Sequence, residues 1–299
     1  MRGPIGVVGV GRMGAPMALN LKKAGYGVVV WDVNPHALKQ FDGMDGIAPA
    51  RSLADMAKGC RIMLTVLPSS REVEALLLGK DGLGPYLMEG SVIIDHTTAD
   101  PTSTQKIAKA LKPRKIHLLD AAMSGGVGGA KGGSLTLMVG GDEAVYHTCR
   151  GVLEAVGRDI FYLGGHGSGH AMKLLHNMCS MTVFLATCEA AHLGVRWGFT
   201  LKQVIDVLHS GNARSYATEV RFPRYIVPGT YDSGADVALF YKDITLALKL
   251  AKDLKVPVPV SAEAYKPWAA ALKAKRGGDD HTRMFQRLAP KGPKTRRKK

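Results

Sequence analysis

The segment Gly9-Val10-Gly11-Arg12-Met13-Gly14 constrains this chain more than any other. It lies directly after the β-branched run Ile5–Val8 and directly before a stretch carrying Met17 and Leu21 at helical spacing. In a strand–loop–helix unit of this kind the first glycine makes a tight turn and the second lets the backbone approach a pyrophosphate. The third allows close helix packing, and the helix N-terminus faces the phosphates. The spacing alone is weak, because 36 glycines produce such triplets by chance; its place after the first strand gives it meaning. The next run, Val28-Val29-Val30-Trp31, ends at Asp32. A carboxylate there accepts the adenosine ribose hydroxyls and repels a 2′-phosphate, which favours NAD over NADP. The plainer alternative is that Asp32 caps the turn into Asn34-Pro35-His36.

Short β-branched runs at Ile5–Val8, Val28–Trp31, Ile62–Leu67 and Val92–Asp95 alternate with helical stretches at Ser52–Cys60, Arg71–Leu78 and Pro101–Leu111, the last opened by Asp100. Further strands are expected at Ile116–Leu119 and Leu135–Val139, a helix over Asp142–Val156 and an edge strand near Ile160–Leu163. After Gly164–Gly169 the pattern becomes Leu-, Met- and Ala-rich with helical spacing. One helix is expected over about Gly169–Arg196, a capping box at Thr200 and Gln203, and later helices at Val237–Leu254 and Ser261–Lys275. The expected fold is an α/β Rossmann-like N-terminal domain over 1–164 followed by an all-α C-terminal domain over 165–289. Residues 290–299 are expected to form a basic flexible tail.

A formal net charge of +15, only part of it in the tail cations Lys291 to Lys299, suits anionic ligands such as a dinucleotide or a carboxylate. Cys60, Cys149, Cys179 and Cys188 show neither CxxC spacing nor a secreted disulfide pattern. With a strand beginning at Ile5 there is no room for a cleavable leader, so a cytoplasmic location is expected. The longest uncharged apolar run, Leu174–Cys188, is shorter than the roughly 20 residues of a membrane span and reads as a buried helix, so no membrane partner is expected.

Lys173 and Asn177 stand four residues apart and project from one helical face, where they can share a ligand. They follow the glycine-rich junction, and a helix joining two domains borders the cleft between them. A lysine there can hydrogen-bond a carbonyl oxygen, stabilise alkoxide charge and pass the proton. Most helical lysines are simply solvated, so position gives this pair its weight. Ser124-Gly125-Gly126, after a strand expected to end at Asp120, exposes backbone N–H groups that can cradle a carboxylate or merely form a permissive turn.

Taken together, Gly9–Gly14 with Pro16-Met17-Ala18, Asp120 through Gly126, Gly167-Ser168-Gly169 with Lys173 and Asn177, and Lys242-Asp243 resemble the β-hydroxyacid dehydrogenase family. That family includes 3-hydroxyisobutyrate dehydrogenase, and the resemblance spans almost the whole chain. It implies an NAD(P)-dependent oxidoreductase, NAD favoured, that transfers hydride between nicotinamide and a small anionic 3-hydroxy acid or its semialdehyde. Lys173 matches the catalytic general acid/base, and Ser124, Gly125, Gly126 and Asn177 match substrate-holding positions. Gly9, Gly11, Arg12, Met13, Gly14, Asp32, Leu67, Pro68, Thr98 and Lys242 match the cofactor site. Relatives associate through their helical domains, which implies a homo-oligomer. Two residues depart from the pattern beside the expected substrate: Ala122-Met123 replaces Pro-Val, and His176 replaces a first Asn. Arg214, Arg221 and Arg224 fall where relatives close over the substrate; they either meet a further acidic group or form a solvated face.

Three other readings compete. His166 with His170 and Glu189 with His192 have partial metal-ligand spacing, but no second ExxH, HExxH or Cys/His cluster completes either pair, so no metal is expected. A non-catalytic dinucleotide-binding or nucleic-acid-associated protein would suit the basic tail. Retention of Lys173 and the absence of interleaved aromatics in the tail argue against it and against a nucleic-acid partner. An imine reductase keeps the hydride chemistry but usually replaces the lysine.

Overall fold

The structure, a computed structural model, describes residues 3–290. The tail expected over 290–299 therefore lies, Pro290 apart, outside the described residues. Two compact units make up the chain, Met1–Lys173 and Leu174–Lys299.

The first unit is built on one eight-stranded sheet. Its strands are β1 (Ile5–Val8), β2 (Val28–Trp31), β3 (Ile47–Pro49), β4 (Ile62–Thr65), β5 (Val92–Asp95), β6 (His117–Ser124), β7 (Leu135–Gly141) and β8 (Gly157–Tyr162), in the order β3-β2-β1-β4-β5-β6-β7-β8. All pairs are parallel except β6 with β7. The helices are α1 (Gly14–Lys23), α2 (Pro35–Leu38), α3 (Leu53–Gly59), α4 (Ser70–Leu78), α5 (Pro101–Leu111), α6 (Gly126–Gly132) and α7 (Glu143–Val156). Successive strand residues bury opposite faces. Val7, Leu64, Ile94 and Leu119 pack with residues of α1 and α7, whereas Val8, Met63, Ile93 and Leu118 pack with residues of α3, α4 and α5. Both faces are covered, which is why these strands read as continuous apolar runs rather than alternating ones. The unit is Rossmann-like, and its strand order reverses between β1 and β4.

The caps explain where several helices begin. Side chains of Ser52, Ser69, Asp100 and Asp142 accept backbone N–H groups at the starts of α3, α4, α5 and α7. β3 and α6 are among the elements that escaped the sequence. β3 has one buried residue and ends in Pro49, so it carries no alternation to read. α6 holds four glycines in seven residues and owes its helix to context rather than to propensity. The strand expected to stop at Asp120 continues to Ser124, because Ala121 to Ser124 pair antiparallel with Thr136 to Val139. Ladder pairing overrides the weak strand preference of two alanines.

The second unit is helical. Helix α8 (Ser168–Trp197) enters it from the first unit and is followed by α9 (Leu201–Ser210), a π-helical segment (Ala217–Ile226), α10 (Val237–Asp253), α11 (Pro259–Lys273) and α12 (Met284–Arg287). Phe184, Phe222 and Trp268 are fully buried at its centre. The Thr200–Gln203 capping box opens α9. The π-helical segment carries Pro223 and had no sequence signal as a helix. By compactness the units divide after Lys173, inside α8. The start of α8 belongs with the sheet, because Asp120 of β6 accepts hydrogen bonds from the backbone N–H groups of Gly167 and His170.

Helix α8 has 30 residues, with a mean hydropathy of 1.3 in its most apolar 18-residue window, 33% of which is buried. By length and composition it could cross a membrane, although the uncharged run 174–188 alone is too short to do so. It also buries the polar Lys173 and Asn177.

Candidate active site

At the carboxyl end of β1 the chain turns at Gly9, whose φ is +88°. A Cβ on Gly9 would lie 2.3 Å from the Val66 carbonyl oxygen, and one on Gly14 would lie 1.9 Å from the Gly9 carbonyl oxygen. Neither position admits a side chain. Gly11 faces open space, and a Cβ placed there would meet nothing within 4 Å. α1 begins at Gly14 with no side-chain cap and no acidic residue in its first turn, while Lys22 and Lys23 end it. Its first N–H groups are thus suited to an anion.

Asp32 is tied to this loop. Its Oδ2 accepts the Val10 N–H at 2.8 Å and its Oδ1 accepts the Asn34 N–H at 2.8 Å. The carboxylate caps the turn and keeps one lone pair on each oxygen that a hydroxyl could use. Leu67 and Pro68 follow β4 and Thr98 follows β5; the Leu67 N–H donates to the Thr97 hydroxyl at 3.2 Å. The parallel register places Gly9, Asp32, Leu67, Pro68 and Thr98 along one edge of the sheet, with the strand-order reversal between β1 and β4 among them. Arg12 is exposed beside them and Met13 precedes the helix. The glycine contacts, the uncapped helix and the spare Asp32 lone pairs together fit a dinucleotide.

β6 connects this edge to the start of α8. The Asp120 carboxylate accepts Gly167 N–H at 2.8 Å and His170 N–H at 3.0 Å. His170 in turn pairs its Nδ1 with the Thr104 hydroxyl at 2.7 Å, and its Nε2 lies 3.8 Å from Asp95 Oδ2. Asp95 Oδ1 accepts the Thr65 hydroxyl at 2.8 Å. Beyond Asp120 the same strand delivers half-buried Ser124 and exposed Gly125 and Gly126; φ values of +125° and +61° turn the chain into α6. Lys173, 8% exposed, comes one turn after His170.

In the second unit Asn177 is 4% exposed and Asp243 is 1% exposed. Asn177 Nδ2 donates to Asp243 Oδ2 at 2.6 Å, and its Oδ1 pairs with His176 Nδ1 at 3.0 Å. Lys242, half-buried, lies 3.3 Å from Asp243 Oδ1. The structure therefore gathers the expected residues into a sheet-edge group, a β6–α8 group and an Asn177–Asp243–Lys242 group.

Residues 4–164 match the family described as the NAD binding domain of 6-phosphogluconate dehydrogenase, and residues 167–288 match the NAD-binding domain family of NADP-dependent 3-hydroxyisobutyrate dehydrogenase. The mitochondrial 3-hydroxyisobutyrate dehydrogenase of Mus musculus is 32% identical over 97% of this chain and 88% of its own length. The chain belongs to the β-hydroxyacid dehydrogenase family. The NAD-dependent L-serine dehydrogenase of Pseudomonas aeruginosa is 35% identical over 90% of this chain and 92% of its own. A Mycobacterium tuberculosis 3-hydroxyisobutyrate dehydrogenase structure with L-serine superposes with a TM-score of 0.86 at 28% identity, covering 97% of this chain and 100% of that one. The family comprises NAD(P)-dependent dehydrogenases that act on CH–OH groups.

In this member of the family, Asp120, His170 and Asp243 support candidate site residues, and sequence reasoning left them without a role. His170 drew attention only as half of an HxxxH pair, and its true partners lie 66 and 75 positions away in Thr104 and Asp95. Asp243 adjoins Lys242, and that adjacency was its one available signal. His192 Nε2 pairs with the Phe285 carbonyl at 2.8 Å and its ring stacks on Phe285. Among the described residues no three His, Cys, Asp or Glu side chains gather as a metal site. Met123 packs against the sheet core, and His176 is exposed.

Proposed function

We propose that the chain is an NAD-dependent dehydrogenase of a small 3-hydroxy acid, or the reductase of its semialdehyde, with Lys173 as general acid/base. The observation that carries this reading is the anchoring by β6. Through Asp120 it fixes the start of α8, one turn before Lys173, and four residues later it presents Ser124-Gly125-Gly126. One rigid strand thereby sets both the proton-handling group and the cradle for the substrate's acid group.

The bound nicotinamide supplies the hydride acceptor for alcohol oxidation or the donor for carbonyl reduction. In oxidation, neutral Lys173 Nζ takes the hydroxyl proton as the carbinol carbon gives up its hydride. In reduction the ammonium returns that proton to the oxygen, so charge and protons balance in both directions. Ser124 and the N–H groups of Gly125 and Gly126 hold the acid group away from the reacting carbon. Asn177, oriented by Asp243, holds the hydroxyl with its remaining amide proton. Asp32, without a cation in the adjoining Val33-Asn34-Pro35, favours NAD over NADP. The cofactor role of Lys242 and a homo-oligomeric state rest on the family resemblance.

The test is a screen of the purified chain with NAD and NADP, oxidised and reduced, against short hydroxy acids and their semialdehydes, followed by nicotinamide absorbance. Turnover of at least one 3-hydroxy acid with NAD is expected. Absence of turnover with every pair contradicts the reading.

A further inference from the structure

Within the second unit, α8 and the π-helical segment line a cavity of about 340 Å³ whose walls include His176, Cys179, Ser180, Ser215, Tyr216 and Arg221. The three arginines of this region behave differently. Arg214 is exposed and pairs with Glu219 at 3.3 Å, and Arg224 is exposed. Arg221 is 5% exposed and faces the cavity.

Everything that holds Arg221 leaves its charge uncancelled. Its Nε donates to His281 Nε2 at 3.0 Å, its Nη2 donates to the Ser180 hydroxyl at 3.1 Å, and its Nη1 donates to the Ser180 carbonyl at 3.5 Å. The guanidinium carbon lies 5.2 Å from the Phe184 ring centre and 5.0 Å from that of Tyr216. His281 accepts at Nε2, so its proton sits on Nδ1, facing the Ala235 carbonyl at 3.2 Å. Burial, assisted by the Arg221 charge, pushes this imidazole down to about 3, so it is neutral at physiological pH. Burial lowers the guanidinium only to about 10, and it stays cationic there. No described carboxylate forms a salt bridge with it.

A buried cation without a counter-charge is costly. Neutral acceptors and ring faces satisfy part of its five-donor fork, and the remaining N–H groups match the geometry of a carboxylate or sulfonate. The same cavity wall includes His176, which is hydrogen-bonded to Asn177. His176 thus contacts both Asn177 and the cavity that Arg221 also lines.

We propose that Arg221 receives an anionic group, a carboxylate or sulfonate, on the substrate that Asn177 contacts. This rests on the reading of Asn177 as a substrate contact. A merely structural arginine would be indifferent to charge on the ligand.

The decisive comparison uses the full chain with 2-(hydroxymethyl)butanedioate, its neutral distal monoamide and 2-(hydroxymethyl)-3-sulfopropanoate. Wild type is expected to favour both dianions over the amide in kcat/KM by roughly 10- to 100-fold, the range for a charged hydrogen bond. That ratio should fall to near one in Arg221→Gln and stay intermediate in Arg221→Lys. A wild-type ratio near one overturns the proposal without recourse to any variant, as does an unchanged ratio in folded Arg221→Gln. If wild type turns over none of these compounds with either cofactor, the dehydrogenase reading fails separately. Calorimetric titration with butanedioate then decides the anion site: binding weakened at least about tenfold by Arg221→Gln supports it, and no binding or equal binding overturns it.

Discussion

In the proposed reading, Asp32 serves structure and recognition together. Its two oxygens fasten the glycine loop to the turn after β2 through Val10 and Asn34, and each keeps a lone pair that the proposal assigns to the adenosine ribose. An Asp32→Ala variant loses both roles, so the loss of affinity for NAD alone would not separate them. The NAD-to-NADP preference does, because damage to the shared pyrophosphate loop affects the two cofactors alike. Wild type is expected to prefer NAD, and Asp32→Ala to shrink that preference by on the order of tenfold or more, as measured by kcat/KM for each cofactor. A wild type that prefers NADP contradicts the assignment.

Among the elements, the start of α8 matters most. Asp120 holds it with two charge-assisted bonds from backbone N–H groups. Asparagine at this position keeps one acceptor and turns an amide N–H toward the other N–H. We expect Asp120→Asn to cost about 1–3 kcal/mol of stability, read by urea unfolding. It should also lower kcat by on the order of ten- to a hundredfold through misplacement of Lys173, with cofactor affinity nearly unchanged. A folded variant with wild-type kcat would show that this anchor does not position Lys173. Much of this architecture was legible in sequence, for physical reasons. Strands buried on both faces leave uninterrupted β-branched runs, and Asp100, Asp142 and Thr200 mark helix starts with local hydrogen bonds. The pairings of Asp120 with Gly167, of His170 with Thr104 and of Asn177 with Asp243 are long-range, and local periodicity does not encode them. The π-helical segment escaped for a related reason: packing of Phe222 and Arg221, not propensity, holds a segment that contains Pro223.

At the scale of the whole molecule, buried histidines couple folding to acid. Burial pushes His96 down to about 4 and His281 down to about 3, whereas both protonate near 6.5 when unfolded. Below that pH the unfolded chain binds more protons than the folded one. Their contribution is therefore fully present above about pH 6.5 and is lost as pH falls, by up to about 1.4 kcal/mol per pH unit for each histidine. His96 Nδ1 donates to the Ala121 carbonyl at 2.7 Å, a bond an asparagine amide can imitate. Urea unfolding from about pH 7.5 to about pH 5 should show a shallower loss in His96→Asn than in wild type; parallel losses would contradict the assignment. Buried Cys60 and Cys149 have thiols raised to about 11, which leaves them unreactive at neutral pH. Catalysis in the proposed reading stands on proton transfer by Lys173, one turn beyond the strand-anchored start of α8. Its most direct test is Lys173→Ala, assayed for turnover of the best 3-hydroxy acid and, separately, for equilibrium NAD binding. We predict a fall in kcat of roughly 100- to 10,000-fold with NAD affinity essentially retained; near-wild-type turnover would contradict it.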